Sequence, residues 1–208
     1  LSATRDCLAM MLWTVFIMPA FAVSKRLFLS LFLWLFIQTS ANATVFSVNN
    51  PVVHPIGNAY VLTAQINYPL TPRVIEALQN GVPITFLQEF RLIDAMPILG
   101  SFWQWETTLW ESTLSYELRY HALSEQYIVE SLDTHEQQNF PSLSGALKAL
   151  GDINALSLPP EYTEDTENLI LEIRSGLDLN ALPTPMRPGA LISDKWQLTS
   201  PWVQAVWL

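Results

Sequence analysis

Beyond residue 43 the chain predicts a β-rich fold, an antiparallel sheet or sandwich closed by two short helices, with α+β as the near neighbour. Three observations carry that expectation. Apolar and polar residues alternate with a period of two through several long runs, two short segments carry helix signals at both ends, and Pro and Gly punctuate the rest. Hairpin-linked amphipathic strands must stack their apolar faces on something, which makes a closed two-layer arrangement the economical solution.

The first 43 residues read as export machinery rather than fold. Lys25-Arg26 is followed by an apolar run from Leu27 to Ile37 and a polar turn ending in Ala41-Asn42-Ala43. A positive pair, a short apolar core and small residues before the cut are the parts of a signal peptide, so cleavage is expected after Ala43. The run is shorter than the roughly 18 residues that cross a bilayer comfortably. A second apolar stretch, Leu8 to Val23, is interrupted by Pro19, and Leu1 stands where a methionine would begin. Initiation at Met18 gives a compact signal peptide over 18–43 and leaves 1–17 untranslated. The alternative is an additional hydrophobic segment in 1–17, so that two short membrane segments anchor the chain in the inner membrane. The expected destination is the periplasm, with inner-membrane anchoring as the other reading.

Residues 44–208 are one domain's worth of chain, enough to bury a core without metal or disulfide support. In Ala59–Tyr68 the side chains of Tyr60, Leu62, Ala64, Ile66 and Tyr68 share one face of a strand. A helix is expected over Thr71–Gly81, with Thr71 as N-cap, Pro72 at the first helical position and Gly81 as the stop. Val82–Asp94 alternates again, grouping Ile84, Phe86, Phe90 and Leu92, and Leu114–Ser131 groups Tyr116, Leu118, Tyr120 and Ala122. These predict two long antiparallel strands joined through a connection from Pro97 to Trp110. A second helix is expected over Ser142–Leu150, stopped by Gly151, with Leu143, Ala146, Leu147 and Leu150 inward. Pro159–Asn168 is an acidic loop, Leu169, Leu171 and Ile173 open another strand, Pro183–Pro188 is a rigid turn, and Trp196–Leu208 is the final strand.

Charge and cysteine content narrow the partners. With the first 43 residues removed, 7 basic face 18 acidic residues, a net charge of −11. Nucleic acid needs a positive surface, and no Lys/Arg cluster exists after the signal segment, so nucleic-acid binding and adhesion to anionic lipid are not expected. The single cysteine, Cys7, precedes the cleavage site. No internal disulfide, thiol nucleophile or covalent lipid anchor is therefore expected.

The chain carries no His-Glu-x-x-His, no Gly-x-Ser-x-Gly and no glycine-rich phosphate loop, and no cofactor is expected. His121 alternates with Glu117 and Arg119 on the polar face of its strand, which makes either a solvent-facing ionic row or part of a binding surface; the ionic row is the favoured reading. Asp133-Thr134-His135-Glu136 has the residue types to hold a divalent ion loosely but too few fixed ligands, and no metal site is expected there. The acidic run Glu161–Glu167 lacks the alternating carboxylates and central glycine of a calcium loop. Tryptophans are grouped twice, Trp103, Trp105 and Trp110 in one connection and Trp196, Trp202 and Trp207 in the last strand. Aromatics at that density either seal a core or line a surface that meets a partner. The last group is assigned to the core. The loop group has less reason to be buried.

The segments Tyr60–Tyr68, Ala77–Phe86, Leu118–Ser124 and Leu182–Pro188, together with Trp196-Gln197-Leu198-Thr199-Ser200, resemble domain of unknown function 4390 across nearly all of residues 44–208. The resemblance implies an exported proteobacterial protein without established activity, encoded beside an rRNA methyltransferase and a membrane sensor kinase. It supplies no catalytic residues. It does mark Arg119-Tyr120-His121 and Arg187-Pro188 as matching positions, which are read as structural.

Three function classes follow. The leading one is a non-enzymatic periplasmic binding or accessory module that meets a membrane or periplasmic protein partner, such as a sensor kinase's outer domain. Its candidate binding residues are Trp103, Trp105, Trp110, Arg119 and His121. The second is a hydrolase or isomerase built on carboxylates and His121, which requires a cleft holding His121 beside Glu117 or another acid. The third is a small outer-membrane barrel.

Overall fold

Alternation in the chain becomes two sheets around a shared core. The computed structural model describes residues 45–97, 104–162 and 168–208, all within one compact unit, Ala43–Leu208. The expected signal peptide and the segment before it lie outside the described residues, as does most of the acidic run 161–167. The elements are β1 (Ser47–Ile56), β2 (Ala59–Asn67), α1 (Pro72–Gln79), β3 (Ile84–Pro97), β4 (Gln104–His121), β5 (Gln126–Ser131), β6 (Gln137–Phe140), α2 (Leu143–Gly151), β7 (Asp152–Ser157), a 3₁₀ turn at Pro160–Tyr162, β8 (Leu169–Leu177), α3 (Arg187–Leu191), β9 (Val203–Gln204) and β10 (Val206–Trp207). One sheet runs β10-β1-β2-β7 and the other β6-β5-β4-β3-β8-β9. Every pairing is antiparallel except β1 with β10. The fold is β-rich, as the alternation predicts, and among the described residues the edge strands of neither sheet pair with each other.

Period-two patterning explains which faces meet. Leu62, Ala64 and Ile66 of β2 are buried against Phe86, Phe90 and Leu92 of β3 and Leu171 and Ile173 of β8 in one apolar cluster. Phe46 stacks on Phe86 at 6.1 Å, and Tyr68 meets both rings edge-on at 4.9 and 5.0 Å. Rings in these arrangements add to their area burial. Both expected helices form with their expected starts: Thr71 Oγ1 accepts the Val74 N–H at 3.4 Å, and Ser142 Oγ accepts that of Gly145 at 3.2 Å. Gly81 follows α1 with φ +82°, the left-handed stop that glycine adopts without cost.

Gly151 plays a different part from the one expected. It is the last residue of α2 rather than the residue beyond it, and a Cβ there would overlap the carbonyl oxygen of Ile66. The glycine lets α2 press onto the backbone of β2.

Gln88 is the polar interruption in the inner face of β3, 1% exposed. Its Nε2 donates to Tyr68 Oη at 3.1 Å and to the Leu150 carbonyl at 2.8 Å. Ser175 Oγ donates to the Leu87 carbonyl at 2.7 Å, which leaves Tyr68 Oη to donate to Ser175 Oγ at 3.0 Å. This directional chain satisfies each hydroxyl and joins β3, β8, α2 and the end of β2 across the core. Burial pushes the Tyr68 hydroxyl up to about 12, against the smaller lowering effect of its hydrogen bonds with Ser175 and Gln88.

Four sequence expectations are corrected. The connection expected over Pro97–Trp110 is strand in its described part: β3 runs to Pro97 and β4 starts at Gln104, so Trp105 and Trp110 lie in a strand. A bulge opposite Leu92/Ile93 resets the alternation there, and that reset hides the strand. Leu114–Ser131 is two strands, turned at 122–125 with Glu125 at φ +52°. Pro183–Pro188 leads into a third helix, α3, whose first residues are Arg187 and Pro188. Trp196–Leu208 is not one strand. Trp196, Leu198 and Ser200 are buried, after which β9 pairs with β8 and β10 with β1, so the tail passes from one sheet to the other. Strands β1 and β7 have no assignment in the sequence reading because each is broken: Asn50 at φ +47° marks the register shift in β1, and Ala155 at φ +61° interrupts β7.

Candidate functional site

The candidate residues sort along β4 instead of converging. Trp103 lies outside the described residues. Trp105 is 63% exposed near the start of the strand, whereas Trp110 is half-buried and packs on the core, which removes it from the expected surface group. Arg119 and His121 lie at the other end, 14 and 16 residues from Trp105, on the order of 45–50 Å of extended strand. No single site contains them all.

At the His121 end the polar face is an ionic row. Arg119 Nη2 donates to Glu130 Oε2 on β5 at 2.6 Å, and its Nε lies 3.0 Å from Glu117 Oε1 without the alignment of a hydrogen bond. Gln137 Nε2 donates to the same Glu130 oxygen at 2.7 Å. His121 is exposed at the turn, where its Nδ1 is 2.9 Å from Ser124 Oγ. The hydrogen-bond partner of His121 is thus a serine of its own turn, and among the described residues the acid–base pair that the hydrolase or isomerase alternative requires is not assembled around it. His135 stands 4.0 Å from Glu130, and Asp133 Oδ2 accepts the Ser115 N–H at 3.0 Å. Among the described residues no three His, Cys, Asp or Glu side chains form a metal-holding group.

The outer face at the centre of the six-stranded sheet is occupied. Arg174 Nε donates to Glu89 Oε2 and Arg91 Nε to Glu172 Oε2, both at 2.6 Å across the β3–β8 register. The Trp202 ring covers the two guanidiniums at 4.2 Å from Arg91 and 4.5 Å from Arg174. Glu89 holds the Arg174 guanidinium's pKa above its ordinary value through their hydrogen bond. Trp202 thus spends its face on the protein itself. Trp207 does likewise, meeting Tyr60 edge-on at 5.4 Å.

The β3–β4 hairpin is built differently at its far end. Among the described residues β8 pairs with β3 as far as Asp94, the Ala95 N–H donates to the Asn168 carbonyl at 3.0 Å, and the last residues of β3 pair with β4. Met96 and Trp105 are register partners there, 57% and 63% exposed. Beside them Asp94, Leu109, Glu161, Tyr162 and Leu169 help line a groove of about 460 Å³. This is the site the geometry favours: a large aromatic and a methionine side by side and exposed near the end of the β3–β4 pairing, with Asp94 and Glu161 nearby. Alternation alone does not single out Met96; its pairing with Trp105 is a product of hairpin register.

A family model for domain of unknown function (DUF4390) matches residues 43–205. The chain belongs to the DUF4390 family. No curated protein and no solved structure matches it. In this DUF4390 chain Arg187 donates through Nε to the Leu182 carbonyl at 2.6 Å and braces the turn before α3, while Tyr120 packs on Tyr127 at 5.0 Å. Both positions that carried the family resemblance thereby have structural work. No helix among the described residues is long and apolar enough to cross a membrane.

Proposed function

We propose that this DUF4390 chain is an exported envelope protein that acts as a binding or accessory module, docking through the end of its β3–β4 hairpin on a membrane-anchored protein partner such as the outer domain of a sensor kinase. The observation that supports this reading is the exposed Met96–Trp105 pair near the end of the β3–β4 pairing. Aromatic and methionine side chains are enriched where proteins meet and are unfavourable to leave in water. A protein partner fits better than a lipid surface because the chain carries a net charge of −9 and anionic headgroups would repel it.

The test is site-specific photo-crosslinking in intact cells from position 105, with position 123 as comparison. Leu123 is 94% exposed at the turn that ends β4. A membrane protein captured from 105 and absent from 123 supports the reading, with loss of capture when Met96 is changed to serine. Equal capture from both positions, or none from 105, overturns it.

A further inference from the structure

A second opening lies beside β7, between it and the strands β4 and β5. The four-stranded sheet stops at β7, whose outer edge pairs with no strand among the described residues. Because that sheet is narrower than its partner, part of the inner face of β4 and β5 is left uncovered by it. The result is a cleft of about 410 Å³ whose walls include Leu114, Tyr116, Val129, Leu150, Ile153 and Leu156. Its rim is one-signed. Asp133, Glu136 and Asp152 all line it, and no Lys or Arg does. The two carboxylates of the β5–β6 turn act on the wall itself: burial pushes the Tyr116 hydroxyl up, and Asp133 and Glu136 push it further in the same direction.

We infer that this cleft takes a short, extended, basic segment of a partner chain, laid along β7, with apolar side chains against Leu114, Tyr116 and Val129 and Lys or Arg side chains among Asp133, Glu136 and Asp152. Three features fit that occupant together. A strand added to β7 would sit about 4.8 Å from it, over the uncovered inner face of β4 and β5, so its inward side chains meet the apolar wall. The rim and the chain's net charge of −9 attract cationic side chains and repel acidic ones. The bulge at Ala155, where φ is +61°, restricts the ladder to a few residues, so selectivity comes from the side chains across the cleft. A volume near 410 Å³ suits two or three side chains rather than a folded domain.

The inference is independent of the hairpin site and is tested separately. A fluorescent pentapeptide alternating Leu and Lys is titrated into the purified chain and followed by anisotropy, beside the same peptide with Glu in place of Lys and a copy methylated on alternate backbone nitrogens. Binding of the Leu/Lys peptide alone is expected, weakened at least tenfold by Glu136→Gln with Asp152→Asn, and unaffected by Trp105→Ala. Both carboxylates are exposed, and a circular-dichroism melt confirms that the double variant remains folded. Equal binding of the methylated copy would overturn pairing along β7. Indifference to the double variant, or binding of the Glu peptide, would overturn the acidic-rim assignment, and absence of binding would overturn the site.

Discussion

The centre and the far end of the β3–β4 hairpin use the same residue types to opposite ends. At the centre the charged groups are paired across the β3–β8 register and covered by Trp202, so an aromatic that sequence density marks as interesting is consumed in holding the tail to the sheet. At the far end Trp105, whose register partner is Met96, is 63% exposed, and among the described residues no ring or cation packs on it. An aromatic with intramolecular partners contributes to stability, whereas one without them is available to another molecule. Counting tryptophans does not distinguish the two; neighbouring strands do.

That contrast is sharpened by variants ranked by expected effect. Phe86→Ala removes the ring that Phe46 and Tyr68 pack on and is expected to cost about 3–5 kcal/mol in urea unfolding. If it costs under 1 kcal/mol, the two sheets do not share the core described.

Alkaline unfolding probes the Tyr68 chain. Above pH 10 the unfolded chain ionises this tyrosine, while the folded chain keeps its proton until about 12. The unfolded state therefore binds fewer protons in that window, and stability is full below pH 10 and falls as pH rises toward 12. The loss approaches about 1.4 kcal/mol per pH unit. Tyr68→Phe is expected to flatten this limb in a pH series of urea melts, at the cost of the hydrogen bonds to Gln88 and Ser175.

Trp202→Ala should cost about 1–2 kcal/mol, since both guanidiniums lose their ring. Ala155→Gly is expected to stabilise by about 1 kcal/mol by relieving a left-handed alanine, read as a raised melting temperature. Trp105→Ala should change stability by less than about 0.5 kcal/mol while abolishing partner capture. A cost at Trp105 equal to that at Trp202 would erase the distinction between the two regions.

How far the residues announce this arrangement differs from element to element. Strand β2, the core of β3, β8 and both capped helices are legible because their faces alternate or their ends carry caps, which are local properties. The first part of β4 is not legible, because one bulge residue flips the parity of every side chain beyond it. For the same reason the broken strands β1 and β7 carry no signal. Of the candidate binding residues, Trp103 lies outside the described residues, Trp105 is exposed, Trp110 packs on the core, and Arg119 and His121 belong to an ionic row and a turn. Asp152 is separated in sequence from Asp133 and Glu136 by α2, and the three come to rim one cleft only through folding.

Local chemistry therefore determined the β-rich class, the two capped helices, the acidic character and the family resemblance, since each depends on residues near one another in the chain. The order of the strands, the crossing of the tail between sheets, the consumption of Trp202 and the exposure of Trp105 were decided by tertiary structure. Period-two alternation states which face of a strand is buried but says nothing about which strand lies beside it. A side chain's availability depends on that neighbour.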